Sequence, residues 1–422
     1  MFERANNILA KSNKVQALPL LSDESFSKSL YNNCNLLRIV LHRSIENNIV
    51  VNKWYRIDLK LVTEMGLLMD QHPYSVHLTC NMLIKNKFGL QHLIDTRPIT
   101  EDAWDPEVAQ SEGFLCYKPI GGIEYRINAS AAALQGTPFY ITMTTSSSSS
   151  SSSITAAAQI LPLTVGPIFI AETQRERDWY PDNLLEGQQY RALQSCLSGS
   201  IYFLLKEQWN DGTPGKIWDS AIIMTKILLK LFASDSNHLS NKRVLDLSAG
   251  TGYIGLSIAQ FYQSNQHIAP PHIILTDLPE ALKLMEKNQL LNNIQSSHLD
   301  IVSLCWGNKM QAKSITDQGP LDIIIASDVL YNVVHFSSLI STLRHLCHQN
   351  TIVYLCYKQR GFTVKEENSF FSLCKKYFSV RQLKNIEQLQ LKQFENSTAV
   401  KIYKLQLRSQ PLWDQLLLKF TR

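Results

Sequence analysis

The stretch Val244-Leu-Asp-Leu-Ser-Ala-Gly-Thr-Gly-Tyr-Ile-Gly255 constrains this chain more than any other. A short buried-strand pattern runs into a glycine turn, and a helical pattern begins near Tyr253. Gly250 and Gly252 supply the backbone freedom for that turn and let a ligand approach the main chain closely. Taken alone, the spacing Gly250-x-Gly252-x-x-Gly255 also fits a dinucleotide fingerprint, so the neighbouring residues must decide.

Beyond a helical pattern at Ile222–Phe232, strand-like runs follow at Arg243–Leu247, His272–Thr276, Leu299–Leu304, Leu321–Ala326 and Thr351–Tyr357. They alternate with helical segments, which predicts a parallel α/β sheet covered on both faces. Two last runs, Phe378–Asn385 and Thr398–Leu407, lie too close together for a crossover and read as an antiparallel pair.

The carboxyl ends of these strands carry the candidate chemistry, because open α/β sheets bind ligands there. Asp246 lies four residues before Gly250, where a carboxylate suits the cationic end of a ligand and would sit poorly beside a pyrophosphate. Asp277 ends the second strand, placed to accept from ribose hydroxyls, and lies 25 residues after Gly252. Trp306 after the third strand offers a face for an adenine. Asp328 and Tyr331 after the fourth would face the reacting group. Each has a plainer reading: the tryptophans as core, Asp328 as a helix cap, Tyr331 as packing.

Together, Asp246-Leu-Ser-Ala-Gly-Thr-Gly252, Thr276-Asp277, Asn288 with Asn292-Asn293, Leu304-x-Trp-Gly307 and Asp328-x-x-Tyr331 resemble the methyltransferase-like protein-lysine methyltransferases that act on non-histone proteins. The resemblance runs from about Lys216 to Leu407 and includes Ile217-Trp-Asp-Ser-Ala221, similar to the family's tryptophan-containing lead-in. It implies a Rossmann-like, seven-strand methyltransferase domain that uses S-adenosyl-L-methionine. It places cofactor contacts on Trp218, Ser248, Ala249, Gly250, Asp277, Trp306 and Ser327, beside Asp246 and Gly252. It places the family's Asp-x-x-Tyr motif on Asp328 and Tyr331 as the catalytic pair, Asp328 expected to receive the lysine ammonium with its carboxylate and Tyr331 to orient the amine. The implied substrate is a protein such as a translation factor or chaperone. Ser248 departs from the usual glycine, which is expected to weaken cofactor binding, and Ser327 departs from the usual alanine.

The N-terminal region has a different texture and no counterpart in that resemblance. Trp54–Val62, Ser75–Cys80, Gly113–Tyr117, Pro138–Met143 and Ile160–Val165 are short β-rich runs. Alternation at Tyr55, Ile57, Leu59 and Leu61 gives the half-buried strand period. The expectation is a β-rich accessory domain over residues 35–174, sandwich-like or barrel-like, after a tail at 1–34. Its poly-serine run at 144–153 reads as an expanded hairpin loop. Residues 175–215 read as a helical connector, 216–407 as the methyltransferase domain and 408–422 as a second tail.

Composition narrows the setting. A net charge of +5 over 422 residues gives no concentrated basic stripe, so no nucleic-acid partner is expected. No run has the length of a signal or a membrane span, and the eight scattered cysteines form no C-x-x-C pair. The expectation is a monomer without metal, in the cytoplasm or the nucleus. Lys358-Gln-Arg360 reads as a substrate rim or as solvated charge. Competing readings are a cofactor-binding adaptor with weak catalysis, a small-molecule methyltransferase, and a nicotinamide oxidoreductase that Asp246 disfavours.

Overall fold

The computed structural model describes residues 36–70, 72, 75–84, 87–88, 93–99, 113–145, 159–171, 184–185, 189–194, 202–360, 362–383 and 400–408. The poly-serine run from Ser146, the tail 1–34 and nearly all of 408–422 lie outside the described residues.

The N-terminal half is built on β1 (Leu36–Leu41), β2 (Trp54–Val62), β3 (Val76–Ile84), β4 (Ile120–Ile127), β5 (Phe139–Thr145) and β6 (Leu163–Ile170). β1 pairs with β2, β2 with β4, β3 with β5 and β5 with β6, all antiparallel. The two-residue strand Gly113–Phe114 bridges β4 and β3. Gln159–Leu161 pairs with β1 and continues past Pro162 into β6, so the sheet closes on itself. The β-rich expectation therefore takes the barrel form rather than two stacked sheets. Ile39, Ile57, Leu59, Ile123, Ile141 and Val165 fill its interior with no exposed surface.

Residues read as a helical connector form strands instead, β7 (Gln189–Gln194) and β8 (Tyr202–Glu207), an antiparallel hairpin added to β6. Successive residues of both strands are buried. A strand covered on both faces loses its period of two, so its apolar run imitates a helix. The outer edge of β8 is capped by a helix. Asn292 accepts from the Leu204 N–H at 2.9 Å and donates to its carbonyl at 2.8 Å. Asn288, one turn earlier, does the same for Lys206 at 2.7 and 3.2 Å. The two amides stand in for a missing neighbour strand.

The C-terminal half carries α1 (Asp219–Ser234), β9 (Arg243–Leu247), α2 (Tyr253–Ser264), β10 (His272–Asp277), α3 (Pro279–Leu291), β11 (Leu299–Ser303), α4 (Lys309–Thr316), β12 (Ile323–Ser327), α5 (Phe336–Leu346), β13 (Ile352–Lys358), α6 (Val364–Cys374), β14 (Phe378–Gln382) and β15 (Val400–Leu407). The sheet order is β11-β10-β9-β12-β13-β15-β14: five parallel strands, then an antiparallel pair. This is the Rossmann-like, seven-strand methyltransferase fold. Helices α1–α3 pack on one face and α4–α6 on the other. Leu161, Leu193, Phe203 and Leu205 join the first of these cores, so the barrel side and the α/β sheet share one apolar body.

Candidate active site

The strand order reverses between β9 and β12, and a cavity of about 420 Å³ opens at their carboxyl ends. Its floor is the turn after β9. Ser248, Gly250 and Gly252 all have positive φ, at 61°, 55° and 79°. The turn is tied to β10: the Ala249 N–H donates to the Thr276 carbonyl at 2.9 Å, and the Gly250 N–H to Asp277 Oδ2 at 2.8 Å.

Ten of the eleven sequence candidates line this cavity: Trp218, Asp246, Ser248, Ala249, Gly250, Asp277, Trp306, Ser327, Asp328 and Tyr331. Gly252 does not. A Cβ there would lie 3.0 Å from Leu256 and 3.3 Å from Leu275 and Met285, so this glycine serves the turn and the packing beneath it.

Two carboxylates at the floor have no cationic partner among the described residues. Asp246 is 1% exposed and accepts from the Gly255 N–H at 3.1 Å. Burial pushes its carboxyl up to about 7; that amide opposes the rise, and the charge of Asp277 adds to it. Asp277 is also raised by burial, although the Leu278 and Gly250 amides pull against the rise. Each of its oxygens takes one amide, which leaves lone pairs for a ligand.

The Trp306 indole N–H donates to Ser248 Oγ at 3.0 Å. The serine at the turn thus fixes an aromatic wall of the cavity, a use for its side chain that the sequence did not suggest. Tyr331 lies 6.0 Å from Trp306 between ring centroids and is 46% exposed at the mouth. Burial, then the charge of Asp277, raises its phenol, so it stays protonated at neutral pH. The Ser327 hydroxyl lines the cavity and is buried without a hydrogen-bond partner, as is that of Ser220.

Asp328 does not present the open carboxylate that the sequence suggested. Its side chain is 5% exposed. Oδ1 accepts from Arg360 at 2.6 Å and from the Lys358 N–H at 3.2 Å. Oδ2 accepts from the Ser220 N–H and from Arg360, both at 3.3 Å. Its φ of 54° holds the turn in a region that costs a residue with a Cβ about 1–2 kcal/mol. Lys358 and Arg360 are correspondingly neither a rim nor solvated charge, being 2% and 9% exposed.

Sequence reasoning missed Lys216, the single lysine or arginine lining the cavity among the described residues. Its ammonium lies 4.8 Å from the ring centroids of both Trp209 and Trp218. Burial, then the nearby Arg38 charge, lowers its pKa to about 8. No periodicity or motif marks such a residue.

Residues 199–377 match the family model described as lysine methyltransferase. The EEF1A lysine methyltransferase 3 of Xenopus tropicalis is 30% identical over 203 residues, which cover 48% of this chain and 77% of that protein. The chain belongs to the lysine methyltransferase family. Two further relatives are similar to part of the chain. The protein N-lysine methyltransferase METTL21A of Xenopus tropicalis is 26% identical over 48% of this chain and 83% of its own length. UPF0665 family protein C23C4.06c of Schizosaccharomyces pombe is 33% identical over 43% of this chain; the match spans about half, 54%, of that relative.

The cofactor of this family is S-adenosyl-L-methionine, and the cavity residues fit it. Among the described residues, a buried carboxylate without a cation suits an ammonium, a lysine held between two indoles suits a carboxylate, and an unpartnered hydroxyl and an indole face complete the set. Among the described residues, no helix is long and apolar enough to cross a membrane.

Proposed function

We propose that this chain methylates lysine on a non-histone protein at the cavity above β9 and β12. The observation that carries the reading is Asp246, a fully enclosed carboxylate at a strand end with no cation of its own. Asp246 takes the ammonium of the methionine end, and Lys216 faces the carboxylate of that same end. Asp277 accepts from the ribose hydroxyls. Trp306 and Trp218 supply aromatic walls, while Ala249, Gly250 and Ser248 line the turn beneath. Ser327 offers its free hydroxyl.

When bound, S-adenosylmethionine supplies a methyl group on a sulfonium, the electrophile of the reaction. The protein's part is to deliver a neutral amine in line with it. A lysine in water has a pKa near 10.4 and is overwhelmingly charged at neutral pH. Entry into a cavity walled by Trp306, Trp218 and Val329 disfavours the ammonium and favours the nucleophilic amine. Tyr331, protonated and at the mouth, orients that amine through its hydroxyl. Asp328 shapes the wall rather than receiving the substrate. Charge is dispersed in this displacement, so positioning and exclusion of water dominate over oxyanion stabilisation.

A protein substrate such as a translation factor or chaperone suits the open mouth, with the enzyme acting as a monomer. Cys305, Cys347, Cys356 and Cys374 form no disulfide among the described residues, which suits a reducing compartment, the cytoplasm first. The test is transfer of radiolabelled methyl from S-adenosylmethionine into a lysate lacking this protein, with Asp246→Asn alongside. Label that appears only with the wild type and yields methyl-lysine on hydrolysis supports the reading. Label confined to small molecules overturns the protein substrate.

A further inference from the structure

Glu64 of the barrel side stands one ion pair behind the wall of the cavity. Glu64, two residues beyond β2, is 5% exposed and accepts from Arg360 through both oxygens, at 2.6 and 2.9 Å. The same Arg360 donates to both oxygens of Asp328 at 2.6 and 3.3 Å, and its guanidinium lies 5.1 Å from the Trp218 ring centroid. One side chain therefore touches a barrel carboxylate, the strained turn after β12 and an indole of the cavity wall.

The surrounding charges make that bridge firm. Glu64 also meets Lys358 at 3.1 Å and Arg38 at 3.9 Å. Arg38 and Lys358 in turn hold Asp219, the first residue of α1, at 2.6 and 3.0 Å. Burial works against the Glu64 charge, yet Arg360, Lys358 and Arg38 outweigh it and keep the carboxyl well below the usual range. For Arg360, burial is likewise overcome by Asp328 and Glu64. Both ions remain charged at every working pH, so the bridge is permanent rather than a switch. Charge-assisted, two-pronged contacts of this kind fix the orientation of a guanidinium as well as holding it.

We propose that Glu64 is a positioning residue for methyl transfer. It sets the plane of Arg360, and Arg360 sets the Asp328 turn from which Val329 and Tyr331 project. The barrel is then a working part of the active site and not only a carrier for it. This rests on the reading that the cavity performs methyl transfer, and it specifies which part of the chain completes that site.

The test compares wild type, Glu64→Gln and Glu64→Asp in the full-length chain. Two readouts are taken: S-adenosylhomocysteine binding by calorimetry, and the rate of methyl labelling of protein in the depleted lysate at saturating cofactor. Amide hydrogen exchange over residues 328–331 is followed in parallel. Glu64→Gln should bind S-adenosylhomocysteine within a few-fold of wild type, because Asp246 and Asp277 lie at the other end of the cavity. It should lose about 10- to 100-fold in labelling rate and exchange faster over 328–331. Glu64→Asp, which keeps the charge, should recover part of both. Parallel loss of binding, labelling and melting temperature would mean a purely structural contact and overturn the proposal, as would wild-type labelling with unchanged exchange. Should Glu64→Gln fail to fold, Glu64→Asp against wild type decides by the same split. Should the wild type label no protein, the protein-substrate reading fails by itself. The exchange comparison still decides whether Glu64 governs the turn.

Discussion

The two ends of the cavity treat carboxylates in opposite ways. At the β9–β10 end, Asp246 is enclosed and Asp277 half-buried, no cation among the described residues pairs with them, and burial raises both. At the β12–β13 end, Asp328 and Glu64 are enclosed but share the guanidinium of Arg360. An unpaired buried acid is costly unless something else compensates it, whereas a paired one is already at rest. The first arrangement leaves work for a cationic ligand, and the second is scaffold. On the proposed reading, the family motif at Asp328 marks a position in the wall, while the acid poised for binding is the one inside the strand.

The largest effect expected from this contrast is at Arg360. Arg360→Ala takes the guanidinium from Asp328, 5% exposed, and leaves Glu64 to Lys358 and Arg38; breaking a buried pair from one side costs about 3–5 kcal/mol. Urea unfolding of the unliganded protein should register that loss. A change below about 1 kcal/mol would mean that water reaches the pair and that the end is not sealed.

Asp246→Asn should behave in the opposite sense. It removes the charge for which the ligand compensates, so S-adenosylhomocysteine binding should weaken by about 2–4 kcal/mol, read by calorimetry. Unliganded stability should rise at the same time. The Asp246 carboxyl has a higher pKa folded than unfolded, so its stabilising contribution is complete below pH 4 and lost as pH climbs through about 7. Asparagine escapes that loss. At pH 8 the variant should therefore melt above wild type, and near pH 4 the two should converge. A variant that melts lower at pH 8 would mean that the carboxylate is compensated without ligand, which erases the difference between the two ends.

Much of this arrangement was legible in the sequence. The α/β half was read nearly strand for strand, because parallel strands alternate with amphipathic helices and the glycine turn fixes where β9 ends. The same logic placed Asp246, Gly250, Asp277, Trp306, Asp328 and Tyr331 in one cavity, since the carboxyl ends of β9 to β12 converge there, and the family resemblance added Trp218, Ser248, Ala249 and Ser327. What escaped depends on distance or on exposure. Glu64 and Arg360 are 296 residues apart and no local pattern links them. Lys216 belongs to no motif and takes its character from Trp209 and Trp218. β7 and β8 imitated helices because both of their faces are covered. Asp328 was rightly drawn to the cavity, but whether its carboxylate is free is a matter of partners, which a sequence does not show.

The pH dependence of binding sharpens the account of the ligand-facing end. Asp246 must be ionised to hold an ammonium, and Lys216 must be protonated to face a carboxylate. With their values near 7 and 8, S-adenosylhomocysteine binding should peak between them. On the acid side it should fall by roughly tenfold for each unit below about pH 6. Calorimetry across pH 5–9 checks this, and Asp246→Asn should flatten the acid limb alone. A flat profile in the wild type would remove Asp246 from the binding site.

The smallest effect, and the most specific, concerns Lys216. Lys216→Met keeps the stem against Trp209 and Trp218 but removes the ammonium. Because Lys216 is the one lysine or arginine lining the cavity among the described residues, its charge should matter only to a ligand that carries an anion. S-adenosylmethionine should bind about five- to tenfold more weakly to the variant, as expected for one partly exposed charge-assisted contact of about 1 kcal/mol. Decarboxylated S-adenosylmethionine, which lacks that anion, should bind both proteins alike. Equal weakening of the two ligands would mean that the methionine variant has merely disturbed the indoles. Equal affinity of wild type for both ligands would show that the carboxylate is held elsewhere, and Lys216 would then be a residue of the wall, as Asp328 is at the other end.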